Sequence, residues 1–336
     1  MTELLKKLCL IDSPSGNESS VANFIKKEIE GYADYHTDSL GNIIVYKKGK
    51  NKSVNKLMID AHTDEVGMII TSITEEGFLK FETLGGINAP ILLCRQVMIE
   101  GKIPGVIGCK PIHLCKGEEK EKAPEEESLY IDIGANSKEE AESKVRIGDT
   151  ATFISDFTLM GNNIKAKAID DRAGCAVLIS LLKEDSVYDY YATFTVQEEV
   201  GLIGARCAAY TVSPDFAICL EATTAADIDG VKREDAVCYL GKGPAVSFMD
   251  RSTLYDRELY NTAMGSSIPC QPKSAVTGGN NSGAIHLTRD GIRTLAISLP
   301  CRYIHSPSCV ANISDLENTK KLTKYMIEKI CSGEIK

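Results

Sequence analysis

Seven side chains able to hold a metal or move a proton are spread along the 336 residues: His62, Asp64, Asp170, Glu198, Glu199, Glu221 and His305. Their local contexts are alike. His62 and Asp64 follow a strand-like run at 56–59, Glu198 and Glu199 follow one at 191–196, and Glu221 follows one at 216–220. His305 stands a few residues beyond another at 293–299, and Asp170 precedes an apolar helical run at 173–182. In an open α/β sheet the loops at the carboxyl ends of the strands converge on one crevice, so these groups are expected to meet. Two imidazoles and three carboxylates gathered without a cation would repel one another and raise the carboxylate pKa values. Divalent cations remove that cost. The mixed nitrogen and oxygen set suits zinc, cobalt or manganese, and five ligands exceed what one tetrahedral zinc uses. Two ions sharing one carboxylate fit better. Such a pair does hydrolysis: it lowers the pKa of a water and polarises a carbonyl, while a carboxylate left free of ligation moves the proton. A peptide α-amine would need a nearby carboxylate or metal, which favours release of N-terminal residues.

The elements that must position these groups alternate between strand and helix at both ends of the chain. Residues 3–10 and 21–29 carry helical periodicity on either side of a Ser-Pro-Ser-Gly turn, and Ser15 with Glu18 reads as a capping box for the second helix. Strands are expected at 42–46 and 56–59. From about 70 to 159 the texture changes to short strand-like pieces at 68–73, 77–83, 96–100, 105–108, 129–133 and 150–154, punctuated by Gly and Pro. One helix interrupts them, with a capping box at Ser137 and Glu140. That stretch is expected to form a small β-barrel. It also holds a charge run at 118–127, expected as a solvated loop. Residues 1–69 and 160–336 then read as two halves of one α/β domain, and 70–159 as an insertion.

Composition removes several alternatives. Lys plus Arg is 38 and Asp plus Glu is 47, giving a net charge of −9. An acidic chain argues against nucleic acid as a partner. The apolar runs fall far short of the roughly 18 residues of a membrane span, and the N-terminus has no signal-peptide core. The twelve cysteines form no CxxC pair and read as reduced thiols of a cytoplasmic protein. A GxGxxG after a strand, a P-loop, HExxH and GxSxG are all missing, which removes nicotinamide, nucleoside-triphosphate, thermolysin-type and serine-hydrolase readings. A glycosidase would use paired carboxylates without metal and leave His62 and His305 unexplained. Another hydrolase on the same scaffold, such as a deacylase, and a non-catalytic assembly protein are the alternatives.

Four ordered motifs carry a resemblance. Ala61-His62-Thr-Asp64-Glu65-Val-Gly67, Ala168-Ile-Asp170-Asp171-Arg172-Ala-Gly174, Gln197-Glu198-Glu199-Val-Gly201 and Arg302-Tyr-Ile-His305-Ser-Pro resemble the M42 family of dinuclear metallo-aminopeptidases. The resemblance runs from Ser13 to the last helix. It implies a zinc-peptidase-like mixed sheet with helices on both faces and an inserted β-barrel. It further implies two divalent ions per subunit: His62 and Glu221 on one, Glu199 and His305 on the other, and Asp170 bridging, with a cis bond to Asp171. Asp64 would fix the tautomer of His62, and Glu198 would be the general base. Relatives often carry Asp where this chain has Glu221, and an Asp within the loop that here reads Gly279-Asn280-Asn281. They dimerise through the segment matching the insert and build closed shells, so peptide substrates and a dimer-built dodecamer are expected.

Overall fold

A computed structural model of the chain describes residues 1–117 and 121–336. The first helices are α1 (Thr2–Cys9) and α2 (Ser19–Ile29). Three strands follow, β1 (Asp34–Thr37), β2 (Ile43–Lys47) and β3 (Leu57–His62). Every residue of β3 is buried, as a strand covered on both faces requires. The chain then makes β4 (Gly67–Ile73), β5 (Leu79–Leu84), α3 (Ala89–Leu92), β6 (Gln96–Ile99), β7 (Ile103–Gly108), β8 (Tyr130–Asp132), α4 (Lys138–Glu142) and β9 (Thr150–Phe153). These six strands close a barrel in the order β4-β5-β8-β7-β6-β9, every pair antiparallel. Met68, Ile70, Phe81, Val97, Ile99, Ile131 and Phe153 fill its interior. The expected strands are present. Ser137 caps α4 by accepting the Glu140 N–H.

The remaining elements return to the sheet: β10 (Thr158–Met160), β11 (Asn163–Ala166), α5 (Ile169–Leu182), β12 (Tyr190–Thr195), α6 (Ile203–Val212) and β13 (Phe216–Thr224). Then come β14 (Ala245–Val246), α7 (Arg257–Met264), β15 (Gln271–Pro272), α8 (Ser282–Ile285), β16 (Arg293–Arg302), β17 (Cys309–Asn312) and α9 (Ile313–Cys331). The sheet runs β1-β2-β12-β3-β13-β16-β17-β11-β10, with β14 paired to β16 and to β15. Its centre is parallel: β12 and β13 flank β3, and β16 flanks β13. The carboxyl ends of four strands therefore lie on one edge. Helices α1, α2, α5 and α9 pack on one face, and α6 and α8 on the other. The run Ala173–Leu182 is apolar all round, so α5 is buried against the sheet rather than half exposed.

Three expectations change. Glu221 lies inside β13, opposite Ser298, and His62 is the last residue of β3. The strands run further than hydropathy indicates because their polar ends are themselves buried. Ser15 and Glu18 do not form a capping box: Glu18 takes the N–H of Gly16 at 2.8 Å and of Gln197 at 3.1 Å. The Ser15 hydroxyl donates instead to Asp64 at 2.6 Å. In the charge run, residues 118–120 lie outside the described residues. Beyond them Glu126 is half-buried and accepts the Thr83 N–H at 2.7 Å, while its charged neighbours are exposed. No described helix is long and apolar enough to cross a membrane, and the cysteines are all free.

Arg172 ties the N-terminal segment to the sheet. Fully buried, it donates to the carbonyls of Leu8 (2.7 Å), Ile11 (3.3 Å) and Ser13 (3.3 Å) and lies 3.6 Å from Glu65. Losing a charged donor from buried acceptors leaves them unsatisfied. Arg172→Met is expected to destabilise the fold by about 3 kcal/mol or more, read as a lower urea midpoint by circular dichroism.

Candidate metal centre

His62, Asp170, Glu199, Glu221 and His305 meet at the carboxyl edge of the parallel strands. His62 ends β3 with its ring buried. Its Nε2 lies 3.3 Å from Asp170 Oδ1 and 3.7 Å from Glu221 Oε2. His305, on the loop after β16, places Nε2 3.4 Å from Asp170 Oδ2 and 3.5 Å from Glu199 Oε1. The two oxygens of Asp170 thus face two different imidazoles. Asp170 and Asp171 precede the regular part of α5, with non-helical backbone angles and a cis bond between them. Glu198 and Glu199 follow β12, and with Glu221 they line a cavity of about 620 Å³ together with Asp170 and His305.

Asp64 holds this arrangement together. Its Oδ1 lies 3.4 Å from His62 Nδ1 and accepts the Glu198 N–H at 3.1 Å. Its Oδ2 accepts the Glu199 N–H at 3.2 Å and the Ser15 hydroxyl at 2.6 Å. One carboxylate thus fixes the imidazole of one strand end and the backbone turn of the next. Sequence reasoning placed Asp64 beside His62; the grip on residues 198 and 199 left no local signal.

Three further groups stand at the site beyond the ligands and proton-moving groups expected from the sequence. Asp171 comes within ligand reach of the same place as His62 and Glu221. Its Oδ1 accepts the Gly174 N–H at 2.8 Å, and its buried Oδ2 has no hydrogen-bond partner. Gly86, beyond β5, offers its carbonyl to His305 Nδ1 at 2.9 Å. The neighbouring Gly85 has φ +91°, and a Cβ there would stand 2.8 Å from Val66 and 3.1 Å from Glu199, so only glycine fits. The Gly-Gly pair at 85–86 is the one cue the sequence held. Asn281 donates to Asp60 at 2.7 Å and to Thr195 at 3.0 Å, and its backbone N–H reaches Glu221 at 3.4 Å. A second carboxylate at 281 would face Asp60, already buried and pushed up to about 6 by that burial. Asn avoids that repulsion. His286 is engaged elsewhere, with Nδ1 2.8 Å from the Ser282 carbonyl.

The electrostatics are those of a cation site. Burial, reinforced by neighbouring carboxylates, drives Glu199, Glu221 and Asp171 well above the usual carboxylate range. Glu198 is pushed up to about 7, mainly by burial. Asp170 moves the other way: its hydrogen bonds with His305 and His62 overcome burial and lower it. Burial opposes the charged form of His305, but Asp170 and Glu199 raise it to about 10. Protons on these groups do what a cation would do better. Two triads, His62 with Asp171 and Glu221, and His62 with Asp170 and Glu199, each bring one ligand atom per residue within 4.8 Å of one another. With two imidazole nitrogens, several carboxylates and an unpartnered Asp171 oxygen, the donor set fits divalent metal.

The family model of the M42 glutamyl aminopeptidases matches residues 41–322. The chain belongs to the M42 peptidase family. An aminopeptidase of the archaeon Desulfurococcus kamchatkensis has the same fold at 36% identity, a TM-score of 0.91, and coverage of 98% of this chain and 94% of that one. The TET1 peptidase of Pyrococcus horikoshii, described as assembling into a tetrahedron or a large octahedral shell, matches at 35% identity and TM-score 0.84, covering 96% and 98%. The lysyl aminopeptidase of Pyrococcus furiosus is 31% identical over 98% of this chain and 97% of its own. This M42 protein is therefore an aminopeptidase, a hydrolase, and its family implies divalent metal. The deacylase, glycosidase and non-catalytic readings are not favoured.

Asp64→Asn keeps the size and removes the charge behind His62. Metal affinity is expected to fall about 10–100-fold, measured by competition with a chromogenic chelator.

Proposed function

We propose that this M42 aminopeptidase holds two divalent cations, zinc, cobalt or manganese, with His62 and Glu221 on one, Glu199 and His305 on the other, and Asp170 shared. The observation that carries this reading is the placement of the two Asp170 oxygens, 3.3 Å from His62 and 3.4 Å from His305. Bound there, such ions lower the pKa of a water and polarise a peptide carbonyl. Glu198 has its backbone fixed by Asp64 and its side chain in the cavity wall. It takes a proton from the attacking water and returns it to the leaving amine. Asp64 keeps Nε2 of His62 turned towards Asp170 and Glu221. Asp171, with a ligand atom within 4.8 Å of those of His62 and Glu221 and one oxygen without a hydrogen-bond partner, would support that first site.

The barrel, formed within residues 70–159 of the insertion apart from the start of β4, serves assembly on this reading, and residues 1–69 with 160–336 serve catalysis. Val106, Ile112 and Leu114 of the insertion are exposed apolar side chains, the kind of surface that pairs with a second copy. Combined with the shell-forming relative, this supports a dimer built up into a closed dodecamer that admits peptides and excludes folded proteins. Unpaired thiols throughout suit a reducing cytoplasm.

Chelation is expected to abolish anilide hydrolysis, with zinc, cobalt or manganese restoring it and elemental analysis giving two ions per subunit. Glu198→Gln is expected to lower kcat about 10²–10⁴-fold with metal content preserved, whereas Glu199→Gln loses one ion. Swapped phenotypes would reverse the two assignments. Sedimentation velocity is expected to show a dodecamer; a fully active monomer at micromolar concentration would remove the assembly reading.

A further inference from the structure

The loop that carries His305 joins β16 to β17 over residues 303–308, and the two strands pair at its base, Arg302 facing Val310. Two of its residues, Tyr303 and His305, have φ of 58° and 57°. Left-handed backbone is unfavourable for residues with a Cβ, so the surroundings must hold it. The far side of the loop is well held. The Pro307 carbonyl accepts the Ser155 hydroxyl at 2.6 Å, and the Ser308 N–H donates to the Ser306 hydroxyl at 3.1 Å. On the near side, among the described residues, the N–H groups of Tyr303, Ile304 and His305 donate to no backbone carbonyl.

Arg302 holds the near side. Its Nε donates to Asp227 Oδ1 at 2.7 Å and its Nη2 to Oδ2 at 2.9 Å. Such a two-pronged contact sets orientation as well as distance. Asp227 also accepts the Leu240 N–H at 3.0 Å, and its side chain is only 10% exposed. Burial opposes its charge, but the Arg302 guanidinium holds the carboxyl below the usual range. Asp227 lies three residues beyond β13, the strand that carries Glu221. That strand also brings the Ala222 N–H to 3.4 Å from Asp170 Oδ1. The parallel pairing of β13 with β16 stops at Thr224 and Cys301. The Arg302–Asp227 pair therefore joins the two strands again beyond their last paired residues, just where each turns towards the site.

We infer that Arg302 and Asp227 are positioning residues of the aminopeptidase reaction: together they fix His305 relative to Glu221 and Asp170, and so set the spacing of the two ion positions. The inference rests on the two-ion reading and assigns residues outside its ligand set. A control is built into the same strand. At the amino end of β16, on the edge opposite the site, Arg293 makes the same two-pronged contact with Asp256, at 2.6 Å and 2.9 Å. A pair that only stapled the fold would behave like that one.

The test compares Arg302→Met, Arg302→Lys, Asp227→Asn and Arg293→Met with the wild type, all as full chains. Zinc affinity is measured by competition with a chromogenic chelator, and kcat and KM on an aminoacyl anilide that the wild type cleaves. Arg302→Met and Asp227→Asn are expected to weaken one of the two zinc ions about 10–100-fold, with kcat lower by about tenfold or more and KM nearly unchanged. The other ion keeps its affinity. Arg302→Lys keeps the charge but loses the fork, and is expected to recover part of the loss. Arg293→Met is expected to lower the melting temperature and bind both ions as the wild type does. Wild-type affinity for both ions in Arg302→Met, or the same loss in Arg293→Met, would overturn the inference. So would equal weakening of both ions in Arg302→Met. If Arg302→Met does not fold, Asp227→Asn and Arg302→Lys carry the same comparison. His305→Ala tests the reading beneath: if it keeps both ions at wild-type affinity, the ligand assignment falls. The kinetics then decide, a fall in kcat confined to the Arg302 and Asp227 variants supporting their positioning role and a fall shared with Arg293→Met ending it.

Discussion

Everything at the carboxyl edge of this sheet depends on keeping several carboxylates close together in a buried place. Left alone, such a cluster takes up protons and charges its imidazoles, as the raised Glu199 and Glu221 and the raised His305 indicate. Its geometry is nevertheless formed, because Asp64 spends both oxygens on it, anchoring the His62 ring and the N–H groups of Glu198 and Glu199. Ser15 then holds Asp64, Glu18 holds the turn at Gln197, and Asn281 holds the floor at Asp60. The fold thus carries a scaffold of hydrogen bonds around a deficit of positive charge. That is preorganisation: the repulsion is accepted when the chain folds, not when a cation arrives.

The scaffold explains the sheet's layout. Parallel strands β12, β3, β13 and β16 deliver their ends to one side, and their central residues are buried on both faces. Helix α5 is apolar enough to fill one face, yet its first residues are the acidic pair at the site. The apolar helix and polar start are therefore one design element, because packing of Ala173–Leu182 places Asp170 between the two histidines. Arg172, next in sequence, binds the opposite side of that junction to the α1–α2 connection.

Much of this was legible because it was periodic or local. The barrel strands alternate, α5 is a continuous apolar run, and His62, Glu199 and His305 stand at strand ends where α/β topology gathers ligands. The bounds of β3 and β13 were less visible, because buried polar residues such as Asp60 and Glu221 interrupt the hydrophobic pattern. Ser15 was misread since a capping box and a long-range hydroxyl donor look the same in one dimension. Asp64's hold on residues 198 and 199, and the Gly86 carbonyl on His305, join positions far apart in the chain through backbone atoms. Backbone atoms carry no residue identity, so these contacts become visible only in three dimensions.

The Gly85–Gly86 turn has a consequence for how the protein can diverge. It leaves the barrel strand β5, packs Gly85 against Glu199, and gives the carbonyl of Gly86 to His305. The outer module therefore supplies part of the inner one's geometry, although it donates no ligand in the assignment proposed. Recombination that exchanged barrels between related chains would carry this turn with it, so the loop at 302–306 and the turn at 85–86 must be inherited as a matched pair. Drift in the barrel's seat on the sheet is felt at His305. The barrel's seat on the sheet is thus held still by chemistry it does not itself perform.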